Sequence, residues 1–460
     1  MARPRTPLLS RDRIVAAALR LIDGEGLEVL STRRLAAELS VSGPSLYNHF
    51  ATKDELLDAV VDSVIGEVDL SMFGRPDTPW PEALRAWARS YRAALAAHPN
   101  IVPVLAQGPG RRPNALRLAE RAAYTTRPNP MVGCVIAHGE RVVGQGWHQR
   151  AGGPHAEVFA LREAGSDARG ATAYVTLEPC AHYGRTPPCA LALIEAGVTR
   201  VVAAMRDPFP KVDGGGFDLL RNAGIEVAEG LMAAPARELN KGFLSRVERN
   251  RPWLRVKLAT SLDGRTAMAD GSSKWITGPA AREDVQHWRA RAGAILTGAD
   301  TVLADDPMLT VRLAGAEVMP PLRVVLDSRL RSLECSRVRE GGAPTLYLHD
   351  AAVSAPDAAD AEFASVPSAE GRLDLGAVLA LLAERGINEV HTEAGATLAG
   401  SLLRAGWVDE LLLYQAPTLL GDNGRPLLAG LGIEAMGQQR RLRVVDQRQV
   451  GEDIRLLLRP

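Results

Sequence analysis

Four residues carry the most specific chemistry in this sequence. PHAEVFALREAG (154–165) places His155 and Glu157 at the start of a helical phrase, and LEPCAHYGRTPPCA (177–190) sets Cys180 and Cys189 on either side of a loop rich in Gly and Pro. One imidazole and two thiols are donor types that suit Zn2+, and three protein ligands leave one tetrahedral position open for water. Zinc lowers the pKa of such a water to roughly 7. Glu157, beside the metal and not needed as a ligand, is then able to take the proton of the water and deliver it to a departing amine. Two plainer readings use the same residues: a pair of buried thiols, or a closed structural zinc site. The closed site needs a fourth protein ligand, and the nearest candidate, His182, is expected to face elsewhere. The open arrangement is therefore preferred. The H-x-E and P-C-x-x-C signature of nucleobase deaminases is met except that eight residues separate the two cysteines here.

A second kind of chemistry lies further along. KLATSLDGRTAMADGSSKWITG (257–278) joins a strand to a Gly/Ser-rich loop, and EAGATLAGSLL (393–403) runs into a helix whose first amides could hold a phosphate. No G-x-G-x-x-G follows a strand, which argues against a Rossmann dinucleotide site.

These sites need elements to hold them. At 460 residues the chain is long enough for about three domains. Lys plus Arg and Asp plus Glu both total 54, so no overall basic field announces nucleic acid and no acidic excess announces disorder. The only cysteines are Cys134, Cys180, Cys189 and Cys335. With no signal-peptide pattern and no apolar run of membrane-spanning length, a reducing cytoplasm is expected, and thiols or metal ligands rather than a disulfide frame. Cys134 lies in an apolar strand and reads as core.

From Ser10 to about His98 the periodicity is helical, with Ser10, Ser31 and Thr52 as helix caps and DGEG (23–26) as a stop. The Gly/Pro cluster QGPGRRP (107–113) is the first strong punctuation. Beyond Pro130, short β-rich runs (VGCVIA, ATAYVTL, VTRVVAAM) alternate with helices, which implies α/β layers. RVERNRPW (246–253) reads as a connector to a second α/β series (WLRVKLATSL, AGAILTGA, LRVVLD, APTLYLH, EVHTEAG, DELLLYQAP). The Ala- and Ser-rich run from 351 to 371 reads as a surface loop inside that series.

The spacing PCAHYGRTPPC, with RPNPMVGCVIA, HQRAGGPHAEV and DPFPKVDGGG, makes residues from about Ala115 to Pro460 resemble the bifunctional riboflavin-biosynthesis deaminase/reductase family. The resemblance implies a cytidine-deaminase-like α/β domain with zinc on His155, Cys180 and Cys189 and Glu157 as proton shuttle. Asn129, His148 and His182 would line the pyrimidine and phosphate pocket. The implied substrate is 2,5-diamino-6-(ribosylamino)-4(3H)-pyrimidinone 5'-phosphate, whose 2-amino group leaves as ammonia. It implies next a dihydrofolate-reductase-like α/β domain that uses NADPH, held by Ala259, Trp275, Thr301, Asp305, Ser328 and the loop Gly395, Ala396, Thr397, Leu398, Ala399, Gly400 and Ser401. Ser273, Arg289, Leu309, Arg312 and Glu393 would contact substrate, the two arginines suiting its phosphate because a guanidinium pairs it bidentately, with a surface salt bridge as their plainer alternative. Reduction delivers hydride to ribose C1', opened to an aldehyde or imine, and a cation and an acid nearby would help. Lys257 and Glu393 are the expected pair, although Lys257 could simply bind phosphate. A homo-oligomer through the reductase domain is expected.

SVSGPSLYNHFATKDELL resembles the helix-turn-helix of tetracycline-repressor-type regulators, with SLYNHF entering the major groove and Ser45, Tyr47, His49 and Lys53 contacting DNA. After it, WPEALRAWARSYRAALAAHPNIVPVLAQGP (80–109) looks like only the first part of that family's ligand-binding domain. ALRLAE suits both families, so the seam lies inside a shared helical phrase. The expected organisation is an all-α head (1–112), a zinc deaminase domain (113–249) and an NADPH-dependent reductase domain (250–460). Catalysis is the leading reading, with weak DNA binding and no membrane partner. The rival reading is a transcriptional regulator that uses the enzyme half as a metabolite sensor.

Overall fold

The computed structural model describes residues 9–41, 45–46, 49–50, 53–69, 71, 79–102, 115–139, 141–182, 187–210 and 212–460. They divide into two compact units, one within Met1–Pro113 and the other within Asn114–Pro460.

In the first unit, α1 (Arg11–Glu25) begins at Ser10, whose hydroxyl accepts the Arg13 N–H at 3.2 Å, and stops at Gly26 with φ 91°. Ser31 caps α2 (Thr32–Leu39) in the same way, accepting the Arg34 N–H at 3.2 Å. Then come α3 (Lys53–Ile65) and α4 (Trp80–Ala97). Ile14, Leu21, Ile22, Leu35, Leu46, Val60 and Val64 meet in one apolar core. Past the end of α4, His98 Nδ1 lies 2.8 Å from Asp23 Oδ2 and the Asn100 amide donates to the Ile22 carbonyl, which fastens this end onto α1. Of the expected short helix SLYNHF, Ser45 and Leu46 are helical and His49 lies in a turn. Tyr47, the Lys53 side chain, the Thr52 cap and the Gly/Pro cluster lie outside the described residues.

The second unit opens with α5 (Ala115–Glu120), the ALRLAE phrase. A five-stranded sheet follows, from β1 (Gly133–His138), β2 (Arg141–Trp147), β3 (Thr172–Val175), β4 (Arg200–Ala203) and β5 (Glu226–Glu229), in the order β2-β1-β3-β4-β5. Its β1 pairs are antiparallel, and β3, β4 and β5 run parallel. Helix α6 (Ala156–Ala164) lies directly on β2. A Cβ at Gly144 or Gly146 would sit 2.2 Å from the Ala160 carbonyl oxygen or 2.4 Å from that of Ala156, so only glycine lets this helix approach. Helices α7 (Cys189–Glu195) and α8 (Gly215–Asn222) complete the layer, and Cys134 is core, fully buried.

The expected connector is helical for longer than read: α9 (Ala233–Leu239) and α10 (Lys241–Arg249) lead to Asn250, which ends the helix with φ 53°. The nine-stranded sheet beyond comprises β6 (Trp253–Thr260), β7 (Ala294–Gly298), β8 (Leu322–Leu326), β9 (Thr345–Asp350), β10 (Glu362–Val366), β11 (Glu389–Glu393), β12 (Glu410–Gln415), β13 (Arg443–Val450) and β14 (Asp453–Arg459). Their order is β10-β9-β8-β7-β11-β6-β12-β14-β13, parallel from β10 to β12 and closed by an antiparallel hairpin. The run 351–371 is therefore not all loop: Glu362–Val366 adds a parallel edge strand to β9. Its small residues hide a strand that pairing with β9 stabilises. Helices α11 (Pro279–Arg291), α12 (Ala299–Asp305), α13 (Leu375–Glu384) and α14 (Ala396–Arg404) cover the sheet.

A buried ion network joins the connector to this sheet. Arg255 is fully buried; its Nε donates to Glu410 Oε2 at 2.9 Å and its Nη2 to Glu389 Oε2 at 3.2 Å. Lys241 of α10 donates to Glu410 Oε1 at 2.6 Å, and Arg291 to Glu389 Oε1 at 2.9 Å. The network sits where β6, β11 and β12 begin, which leaves their far ends free for chemistry.

Candidate active sites

His155 is the extended residue just before α6, and Glu157 falls in the first turn of that helix. Cys180 follows β3, and Cys189 opens α7 behind Pro188. His155 Nδ1 faces both sulfurs, 3.5 Å from Cys180 and 3.3 Å from Cys189, and the three donor atoms lie within 4.8 Å of one another. Tetrahedral Zn–S and Zn–N bonds of ordinary length imply an S···N separation of about 3.6 Å, so the donor set fits the ion. The Cys189 N–H donates to Cys180 Sγ at 3.3 Å. Hydrogen bonding from Cys189 and His155 outweighs burial and draws the Cys180 thiol down to about 4, the favourable direction for a thiolate ligand.

Glu157 is 2 % exposed, and its Oε2 has no hydrogen-bond partner. Burial raises its pKa, with His155 opposing. Such an oxygen, orphaned beside a cluster of metal-donor side chains, suits a proton carrier. A cavity of about 220 Å³ opens here, and Asn129, His148, His155, Glu157, Cys180 and His182 all line it. His148 Nδ1 is 3.0 Å from the Pro154 carbonyl, which can only accept, so this nitrogen carries the proton. Its Nε2 is then free to accept from the Asn129 amide at 3.0 Å. Burial lowers the His148 pKa and favours this neutral form. His182 lines the cavity but stands outside the three-donor cluster.

Two acids in this site escaped the reading of the sequence. Glu178 accepts N–H groups of Asp207, Gly214, Gly216 and Phe217 at 2.9–3.3 Å, tying the DPFPKVDGGG segment to the strand end that bears Cys180. Gly216 must be glycine, because a Cβ there would lie 1.8 Å from the Pro179 carbonyl oxygen. Asp207 also lines the cavity, and burial pushes it up to about 6 against a hydrogen bond from Phe209. A carboxylate two residues before a cysteine ligand was the available signal for Glu178; Asp207 had only the DPF turn.

In the second sheet, Lys257 and Glu393 are register partners on the adjacent strands β6 and β11, so both side chains share one face. Glu393 is held bidentately by Arg289, at 2.5 Å from Nε and 2.9 Å from Nη2, while Arg289 Nη1 donates to the Thr310 carbonyl. Burial would raise the Glu393 pKa, but Arg289 holds it well below the usual range. The guanidinium thus favours the charged form of Glu393, and Arg289 is engaged by an ion pair and a backbone carbonyl. Burial lowers Lys257, with Glu393 opposing. Arg312 is exposed, its backbone N–H bonded to Gln286, and Leu309 is buried with φ 48°.

The cofactor candidates gather at the carboxyl ends of the parallel strands. Ala259 is near the end of β6, Thr301 follows β7, Ser328 follows β8, and Gly395 follows β11. Thr301 Oγ1 accepts the Gly395 N–H at 3.3 Å, joining the starts of α12 and α14, and the space a Cβ would fill at Gly395 is open. Such an edge suits a dinucleotide diphosphate. Trp275 is 71 % exposed with the Arg282 guanidinium 4.6 Å above its ring, and Lys274 lies 3.4 Å from Asp305. Ser328 bonds instead to the Gly371 carbonyl, and no hydrogen bond joins Ser273 to the other candidates among the described residues.

Together these define a zinc deaminase of the cytidine-deaminase type joined to a dihydrofolate-reductase-like, NADPH-dependent reductase. Residues 113–205 match the cytidine and deoxycytidylate deaminase zinc-binding region, residues 252–456 the RibD C-terminal domain, and residues 14–60 the bacterial regulatory proteins of the tetR family. The riboflavin biosynthesis protein RibD of Escherichia coli is 49% identical over 355 residues, covering 75% of this chain and 97% of that protein; its Haemophilus influenzae counterpart is 45% identical. Acinetobacter baumannii RibD superposes with TM-score 0.69 at 47% identity over 75% of this chain and 96% of that one. A Thermotoga maritima diaminohydroxyphosphoribosylaminopyrimidine deaminase/5-amino-6-(5-phosphoribosylamino)uracil reductase gives 0.67 at 34% identity over the same shares. The chain belongs to the RibD family of bifunctional riboflavin-biosynthesis enzymes, with a tetR-type helical head at its amino end. No helix among the described residues is long and apolar enough to cross a membrane.

Proposed function

We propose that the deaminase site acts on 2,5-diamino-6-(ribosylamino)-4(3H)-pyrimidinone 5'-phosphate and that the reductase site converts the ribosyl chain of the deaminated product to ribityl. The observation that supports this best is the orphaned Glu157 oxygen at a cluster of three zinc donors in the cavity. His155, Cys180 and Cys189 would hold zinc, which would supply an activated water. Glu157 takes a proton from the attacking water and hands it to the departing 2-amino group, so that water and amine become carbonyl and ammonia. Neutral His148 and Asn129 orient the pyrimidine.

In the second site the loop from Gly395 to Ser401, with Ala259, Trp275, Thr301, Asp305 and Ser328, would hold NADPH, which would supply the hydride for ribose C1'. Lys257 donates a proton to the oxygen released as the ring opens. Glu393 holds Arg289 in place and balances the Lys257 charge, while Ser273, Leu309 and Arg312 contact substrate. The domains run 1–112, 113–249 and 250–460, in a cytoplasmic enzyme that assembles through its reductase domain. Its head binds DNA weakly, through Ser45, Tyr47, His49 and Lys53. Ammonia release from this substrate, followed by NADPH oxidation when the deaminated product accumulates, is the test; absence of both with zinc-loaded protein would refute the assignment.

A further inference from the structure

The deaminase cavity is lined by Glu157, Glu178 and Asp207 as well as a cysteine thiol, yet a substrate bearing a phosphate must enter it. Among its described lining residues one side chain is a permanent cation: Arg246. It stands on α10, the helix that leads out of the deaminase layer. Its Nε donates to Asn388 Oδ1 at 2.7 Å, and it has no ion pair among the described residues. Burial lowers its pKa with no carboxylate to offset the loss of solvent. Asn388 is 8 % exposed, immediately before β11 of the reductase sheet, and its Nδ2 donates to the Pro128 carbonyl at 2.8 Å. Pro128 lines the same cavity and precedes Asn129. One reductase side chain thus fixes both the guanidinium and the segment that carries a pyrimidine-facing amide. Tying Arg246 through Nε leaves its two Nη groups for a planar, bidentate contact with an oxyanion.

We propose that Arg246 binds the 5'-phosphate of the deaminase substrate, with Asn388 of the reductase as the residue that positions it. The inference rests on the substrate reading above. A neutral pyrimidine gives no reason for an unpaired guanidinium in an acid-lined pocket; a phosphate monoester does.

The test is steady-state ammonia release by the full-length, zinc-loaded chain, with the phosphorylated substrate and with its dephosphorylated riboside. Losing a charge-assisted contact costs roughly ten- to a hundredfold in affinity. Arg246→Gln should therefore lower kcat/KM for the phosphorylated substrate by about that factor, mainly through KM, and leave the riboside much less affected. Arg246→Lys should recover part of the loss. Asn388→Ala should raise KM for the phosphorylated substrate with little change in kcat. The ratio of the two substrates within each variant cancels any loss of folded enzyme. A ratio in Arg246→Gln equal to that of the wild type overturns the phosphate assignment, and an unchanged KM in Asn388→Ala overturns the positioning role. Wild type that releases ammonia from neither compound would instead sink the substrate reading itself, a result separable from the first two.

Discussion

At the scale of single residues, the two sites divide their labour between groups that bind and groups that move protons. Glu157 makes no contact through Oε2 that would explain its burial structurally, so replacing it should not disturb the ligand cluster. Glu157→Gln is expected to retain zinc, measured by metal analysis, and to lose deamination by about 10²–10⁴-fold; loss of zinc with the activity would make Glu157 a ligand or a structural group instead. Lys257→Ala should abolish most NADPH oxidation and spare ammonia release, since the two sites stand on different sheets. Equal loss of both would point to a fold defect. The cluster of His155, Cys180 and Cys189 was legible in the sequence because His and Cys are scarce and their neighbours form a dense motif. Arg246 and Asn388 were not: each is an ordinary polar residue in an ordinary place, and only a contact across 142 residues gives them meaning. The pairing of Glu393 with Arg289 was hidden for the same reason: an arginine on α11 reverses what burial alone would do to a carboxyl on β11.

At the scale of elements, alternating apolar runs marked most strands, and serine caps marked two helices of the head, since both are local effects. The edge strand Glu362–Val366 pairs with β9 and the two strands of the closing hairpin pair across a tight turn, yet neither was read from the sequence. The ion network at the start of β6, β11 and β12 is long-range: Arg255 and Glu410 are 155 residues apart. Arg255→Ala would leave Glu389 to Arg291 and Glu410 to Lys241 and Arg459, each short of one charged partner, and should cost about 1.5–3 kcal/mol in urea denaturation. Burial would raise the pKa of Glu389 and Glu410, but Arg291, Arg255 and Lys241 lower the first, and Arg255, Lys241 and Arg459 lower the second. Their folded values thus lie below the unfolded value of about 4.3, so the unfolded chain binds protons first as pH falls. Their contribution is full above that value and is lost as pH drops through the folded values. The urea midpoint should therefore fall steeply below about pH 4, and Glu410→Gln should flatten that acid limb relative to wild type. An acid limb of unchanged steepness would show that the network is not what titrates.

At the scale of the molecule, each unit closes its own apolar core: the head from Ile14 to Ile101, the enzyme from Leu116 onward. The deaminase cavity is lined from Pro128, and every other site residue lies further along. Deleting residues 1–108 should leave ammonia release and NADPH oxidation largely unchanged; loss of either would mean the head is part of the catalytic unit. DNA binding follows a different logic. Helix-turn-helix dimers read two half-sites about 34–36 Å apart, so tight binding requires two heads held at that spacing. Repressors of this type use dimerising helices for the purpose, whereas here the sequence passes from α4 (Trp80–Ala97) to the enzyme's α5 (Ala115–Glu120). A single head of this type would be left with contacts to phosphate, which give sequence-independent affinity that weakens steeply with salt. The full-length chain should accordingly bind random and palindromic duplexes alike in fluorescence anisotropy at low salt, and lose both near physiological ionic strength. Tight binding to one palindrome at that ionic strength would mean that the assembled enzyme itself holds two heads in register, and that catalysis and repression belong to one machine.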